Sequence, residues 1–240
     1  MTVAPTLASM GPCEPSVVAF DGDDTLWRDG TSEQDWERRF KHLAAGRLPS
    51  RAMEEDLRAR LKQTGFTIDG VRDALLASGR EACGEQLPPE WLAEVETLPE
   101  LAGTLKIEPT ADVDEALDRF SEAGHVLWII TKGDVVLQSI KLARFAQCHR
   151  FSRIEIVPRK TAPTYRRILA AAGVEPGRFL MIGDALTQDV LPVLRLGARA
   201  AHVPAGRWTL LRPLVGMLPT KRLKVCRTLG DAARICVPPL

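Results

Sequence analysis

Three carboxylates and a hydroxyl crowd into five positions of this chain, Asp21-Gly22-Asp23-Asp24-Thr25. Like charges this close repel and shift one another's pKa values, so they call for a proton or a divalent cation to relieve them. Magnesium suits such a site, because it takes oxygen ligands, needs few carboxylates and keeps water or substrate phosphate in its other positions. Further along stand a hydroxyl at Thr131, cations at Lys132 and Lys160, turn glycines at Gly133 and Gly183, and two more carboxylates at Asp184 and Asp189.

These groups need elements to bring them together. Val17-Val18-Ala19-Phe20 reads as a strand buried on both faces, the pattern of a parallel sheet between helices. It delivers the acidic cluster to its C-terminal end, where open α/β sheets bind ligands. From Val126 onward, apolar runs alternate with amphipathic segments, as in successive βαβ units. The runs predict strands at Val126 to Ile130, Ile154 to Val157, Phe179 to Ile182 and Ala198 to Val203. Helices are predicted at Val113 to Ala123, Asp134 to Gln147, Pro163 to Ala172 and Asp189 to Leu196, with Gly124, Gly173 and Gly197 as stops. Thr131, Lys160 and Gly183-Asp184 with Asp189 then each follow a separate strand. Lys132-Gly133-Asp134 leads into a helix whose exposed N–H groups favour an anion, and Gly183 permits a tight turn.

Residues of about 32 to 98 differ, since they show helical periodicity and no convincing buried strand. Ser32 reads as a helix start, with Trp36, Phe40 and Leu43 recurring at helical spacing. Segments around Leu57, Val71 to Ala77 and Trp91 to Leu98 continue the pattern, and Pro88-Pro89, Pro99 and Gly103 read as joints. A helical insertion entered just after the acidic loop would sit over the sheet's C-terminal edge as a lid. The division expected is an N-terminal extension over 1–15, a Rossmann-like α/β core over 16–30 and 104–240, and a helical cap over 31–103. No role is assigned to the basic segment 206–240.

At 240 residues and 45% hydrophobic content, the chain can bury a sizeable core. A net charge of +1 gives no general electrostatic case for nucleic acid or a membrane surface. Five scattered cysteines show no metal-binding spacing or disulfide framework, and no apolar run reaches the ~20 residues that span a bilayer. A soluble protein of the reducing cytoplasm, monomer or homodimer, is expected.

The four pieces Asp21-Gly22-Asp23-Asp24-Thr25, Thr131, Lys160 and Gly183-Asp184 with Asp189 resemble, in order, the four motifs of the haloacid dehalogenase-like hydrolase superfamily. The wording Ile130-Thr131-Lys132-Gly133-Asp134 and Met181-Ile182-Gly183-Asp184 is similar to that of its phosphatase-like members. The resemblance spans Val17 to about Pro204. It implies that Asp21 attacks phosphorus and forms an aspartyl-phosphate, splitting hydrolysis into two easier steps. It implies that Asp23 protonates the leaving alcohol and then deprotonates the attacking water, which suits a carboxyl whose pKa is raised by crowded neighbours. Asp21, Asp184, the Asp23 carbonyl and, in support, Asp189 would hold Mg2+. Thr131 and Lys160 would hold the phosphoryl oxygens, with Lys132 and Gly133 beside them.

Members that displace halide from carbon typically lack a carboxylate at the place of Asp23, so its presence points to a small phosphate monoester as substrate. A phosphomutase, haloacid or phosphonate chemistry, and a non-enzymatic binding role are the competing readings. Several residues also have plainer roles open to them. Arg159 is a rival to Lys160 as the cation, Asp189 to a helix cap, and Trp27 and Trp36 to core residues. His42, His125, His149 and His202 show no ligand spacing. Arg28, Arg38, Arg39, Lys41 and Arg47 would favour an anionic leaving group or form a solvated face.

Overall fold

The computed structural model describes residues 17–44, 47–48, 50–205 and 221–237. The expected extension over 1–15 lies outside them, as do residues 206–220 of the C-terminal segment. Val17–Phe20 forms β1, and all four residues are buried. Val18 and Phe20 pack with Leu117, Phe120 and Ile140. Val17 and Ala19 pack with Trp128, Ile130, Tyr165 and Phe179. Burial on both faces is why the strand carries no polar residue.

Beyond the acidic loop the chain enters β2 (Trp27–Arg28), whose antiparallel partner is β3 (Glu108–Pro109). This ribbon brings together the entry and exit of a purely helical segment. The segment holds α1 (Glu33–Arg39), α2 (Arg51–Thr64), α3 (Ile68–Cys83), α4 (Pro89–Glu96) and α5 (Leu98–Thr104). Ser32 caps α1 by accepting from Asp35 N–H, as its sequence suggests. Pro99 and Gly103 lie inside α5 instead of at joints. A proline in the first turn costs no hydrogen bond, because the N–H it lacks would be unpaired there anyway.

The chain continues through α6 (Val113–Glu122), β4 (Val126–Lys132), α7 (Val135–Arg144), β5 (Arg153–Val157), α8 (Ala162–Ala171), β6 (Phe179–Gly183), α9 (Leu191–Leu194) and β7 (Arg199–His202). β8 (Leu223–Val225) and α10 (Leu229–Cys236) complete the described part. Six strands form one parallel sheet in the order β5-β4-β1-β6-β7-β8. In register, Phe20 stands beside Ile129 on one side and Ile182 on the other. β1 and β6 therefore end close to one level while β4 runs on to Lys132, and Asp21, Gly183 and, one residue further out, Thr131 lie side by side.

Two expectations need correction, and the tail adds elements that none covered. The helix after Asp134 ends at Arg144, and a 3-10 turn over Ala146–Arg150 follows. No helix begins at Asp189: Leu186–Val190 is a single π-helical turn, with α9 after it. Within the tail, Leu223–Val225 adds an edge strand and α10 packs on α6. Arg119 Nε donates to the Val237 carbonyl at 2.8 Å across that contact. Among the described residues, no helix is long and apolar enough to cross a membrane.

Candidate active site

The acidic loop is a closed turn. The N–H groups of Thr25, Leu26 and Trp27 converge on the Gly22 carbonyl at 3.2, 2.9 and 3.2 Å. Asp24 takes the left-handed backbone at φ 61°, a conformation that aspartate tolerates better than most residues. A Cβ on Gly22 would lie 2.5 Å from the Trp27 ring and 3.2 Å from Thr131 Oγ1, so this position accepts only glycine while the indole packs over it. Asp21 N–H donates to the Ile182 carbonyl at 2.9 Å, tying the loop to the tip of β6.

Lys160 reaches into this loop from the segment after β5. Its ammonium lies 2.6 Å from Asp21 Oδ1 and 2.7 Å from Asp189 Oδ1. Lys160 is buried and Arg159 is exposed, so the lysine is the cation at the site. The π-turn explains the position of Asp189: it carries the carboxylate back under Gly183, where an added Cβ would meet its Cγ at 2.4 Å. Asp189 Oδ2 also accepts from Ala185 N–H at 3.0 Å, and the residue is fully buried.

One ammonium thus faces a group of carboxylates. Asp21, Asp184 and Asp189 each offer an oxygen, all within 4.8 Å of one another. Burial, then repulsion by Asp189, holds the Asp21 carboxyl well above the ordinary carboxylate range despite Lys160. Burial, then Asp189 and Asp24, pushes Asp184 up to about 7. Burial opposes the charge on Lys160, yet Asp189 and Asp21 outweigh it and keep the ammonium protonated. Burial and the same two carboxylates keep Tyr165 a neutral phenol, donating to the Gln188 carbonyl at 3.1 Å.

An all-oxygen donor set with surplus negative charge fits a hard divalent cation such as Mg2+, which is held by one or two carboxylates and retains water. Asp21 and Asp184 are the side chains open to it, since both oxygens of Asp189 already have partners. His202, one of the four histidines without ligand spacing, is fully buried, and its Nε2 lies 2.7 Å from the Asp184 carbonyl.

Asp23 occupies a different environment. Trp27 Nε1 donates to its Oδ1 at 3.0 Å, Gln138 Nε2 to its Oδ2 at 2.9 Å, and Lys141 Nζ to its Oδ1 at 2.9 Å. The Lys141 ammonium is buried and lies 2.7 Å from Asp29 Oδ2 as well. A cavity of about 260 Å³ opens here, lined by Asp23, Asp24, Lys132, Gly133, Gln138 and Lys141 among others.

Thr131 is buried at the tip of β4, with its Oγ1 3.4 Å from Gln138 Oε1. Lys132 is exposed at the cavity. Three of the N–H groups around the helix start expected to face an anion are already bonded. Asp134 Oδ1 accepts from Val136 and Leu137 at 2.9 Å each, and Gly133 N–H donates to the Val157 carbonyl at 3.3 Å. Gln138, Lys141 and Asp29 were not among the expected site residues. For Gln138 and Lys141 the signal is their spacing, long polar residues at i and i+3 on one face of a helix whose other residues up to Leu142 are apolar but for Ser139.

The model of the haloacid dehalogenase-like hydrolases matches residues 15–197. No curated protein matches the chain. A haloacid dehalogenase-like family hydrolase from Xanthomonas campestris is similar in structure, at 26% identity and a TM-score of 0.54, over 93% of this chain and 96% of that one. A 2-haloacid dehalogenase from Pseudomonas syringae pv. Tomato DC3000 shares the fold at 18% identity and a TM-score of 0.50, over 92% and 97% of the two chains. The Bacillus subtilis protein YfnB, described as a HAD-hydrolase and bound to magnesium, does so at 14% identity and a TM-score of 0.51, over 93% and 99%. With the family model matching 15–197 of its 240 residues and four motif positions at adjoining strand tips, this chain belongs to the haloacid dehalogenase-like hydrolases.

Proposed function

We propose that the protein is a magnesium-dependent phosphatase of small phosphate monoesters. The observation that carries this reading is the Asp23 carboxylate, held by three donors at the wall of a cavity and two residues from Asp21. Displacement of halide from carbon leaves no oxygen to protonate, whereas an alkoxide leaving from phosphorus needs a proton donor at this place.

In this reading an Asp21 oxygen attacks phosphorus and the bond to the leaving oxygen breaks, while Asp23 gives that oxygen its proton. Water then attacks phosphorus of the aspartyl-phosphate, Asp23 takes its proton, and Asp21 and inorganic phosphate are freed. Lys160, kept protonated between Asp21 and Asp189, and the Thr131 hydroxyl hold the phosphoryl oxygens as charge develops on them. Mg2+, held by Asp21, Asp184 and the Asp23 carbonyl, would supply positive charge to the transferring phosphoryl group. The helical segment α1–α5 would limit water and select the leaving group.

The test is to offer the wild-type protein phosphate monoesters and 2-haloacids side by side, with Mg2+ and with excess chelator. Phosphate release that requires Mg2+ supports the reading. Halide release unaffected by chelator would sink it in favour of carbon-halogen chemistry.

A further inference from the structure

Asp23 is the group that must meet the leaving oxygen, and its side chain is partly exposed, so something has to aim it. The arrangement around it contains more than a proton donor needs. Lys141 sits on α7 among Val135, Val136, Leu137, Ile140 and Leu142, all buried, and is itself only 5% exposed. A lysine in such surroundings is expensive to keep charged unless it is paired. Its ammonium lies 2.9 Å from Asp23 Oδ1 and 2.7 Å from Asp29 Oδ2.

Asp29 is in turn fixed. Its side chain is 3% exposed, and its Oδ1 accepts from Thr31 N–H at 2.9 Å. It belongs to the short stretch between β2 and α1, where the chain leaves the ribbon for the helical segment. Lys141 therefore ties three parts of the molecule together: the acidic loop, the helix after β4 and the entry to the inserted helices.

We infer that Lys141, anchored by Asp29, is a positioning residue that aims the Asp23 carboxyl at the leaving group of the substrate. The inference rests on the phosphatase reading. Trp27 and Gln138 restrain the same carboxylate from other sides, but both are neutral. The charged pair Asp29–Lys141 is the restraint with the strongest directional hold, since charge-assisted bonds are shorter and stronger than neutral ones.

The readout is the dependence of kcat/KM on the leaving group, for a series of phenyl phosphates running from p-nitrophenyl to unsubstituted phenyl. A good leaving group departs without help and a poor one needs the acid. In Lys141→Met, kcat/KM should fall about tenfold or more further for phenyl phosphate than for p-nitrophenyl phosphate, a fraction of the 10²–10⁴ that general acid catalysis supplies. Lys141→Arg should return the wild-type slope. Asp29→Asn keeps the ammonium and removes its anchor; it should steepen the slope in the same sense, and it decides the matter if Lys141→Met does not fold. An equal loss across the series, no loss, or a slope shallower than wild type, as when the ammonium only holds Asp23 ionised, overturns the inference in the folded variants and leaves the phosphatase reading standing. Failure of the wild-type protein to release phosphate from any monoester overturns that reading and the inference with it.

Discussion

Lys160 and Asp189 form a buried ion pair, 2.7 Å between Nζ and Oδ1, with neither side chain reaching solvent. The pair ties the segment after β5 to the π-turn after β6, and it leaves Lys160 pointing at Asp21 on β1's tip. Breaking a buried pair by removing one partner is far more costly than losing a surface one, because the charge left behind stays desolvated. Lys160 keeps Asp21 as a second partner, however, and the repulsion of Asp21 and Asp184 by Asp189 is relieved. Asp189→Asn should therefore lower stability by less than the loss of a sole partner would, about 1–3 kcal/mol, read as a shift in the urea midpoint at pH 7. A loss below 1 kcal/mol would mean that Asp21 alone holds the ammonium.

Gly183 is required by the same geometry. A Cβ there would sit 2.4 Å from Asp189 Cγ, inside any permissible contact. Gly183→Ala should displace the Asp189 carboxylate and destabilise the fold by roughly 1–3 kcal/mol, with turnover falling as Lys160 loses its support. Thermal unfolding and the phosphate assay measured together check both effects.

Asp184 gives the site a pH dependence. Its carboxyl is pushed up to about 7 by burial, Asp189 and Asp24, and a metal requires the ionised form. Below about pH 7 a proton competes with Mg2+, so the apparent affinity should weaken about tenfold per pH unit. In chelator the sign for stability follows from the same raised value. Between pH ~4 and ~7 the folded protein binds a proton that the unfolded chain does not, so this group's contribution to stability declines as pH rises through that window. Asp184→Asn should remove the share of both trends that Asp184 carries, leaving that of Asp21. Calorimetric Mg2+ titrations at pH 5, 6, 7 and 8 would give the same slope in wild type and Asp184→Asn if Asp184 is no ligand.

The inserted helices are held to the sheet's edge by Lys62 on α2, whose Nζ lies 3.0 Å from Glu155 Oε2 on β5, and by Arg58 Nε, 3.2 Å from the Ile156 carbonyl. Lys62 is half exposed, so Lys62→Ala should cost only about 0–1 kcal/mol in stability. Its expected effect is on KM for a bulky ester more than on the unfolding midpoint. Equal KM values for small and bulky esters in wild type and variant would remove this contact from any role in substrate selection.

The strands β1 and β6, which carry most of the site, were readable in the sequence because both are buried on both faces. Val17–Phe20 and Phe179–Gly183 are unbroken apolar runs with polar groups only at their ends. β8 was not, since Leu-Lys-Val at a sheet edge with a half-exposed flank has no pattern to separate it from a loop. The ribbon β2–β3 is two residues on each side and too short to show alternation. Asp21, Thr131, Lys160, Asp184 and Asp189 could be named from their strand-end positions. That Asp189 turns back beneath Gly183 could not, because a π-helical turn leaves no signal in residue type. Nor could the partnership of Lys141 with Asp23, 118 residues apart, which exists only once α7 is packed beside the acidic loop.

The most direct measurement is phosphate release by wild type and Asp21→Asn in saturating Mg2+. The substitution removes the nucleophile with almost no change in volume. The expected result is a folded protein with turnover reduced by at least about 10³. Substantial turnover by folded Asp21→Asn would contradict an aspartyl-phosphate at this position.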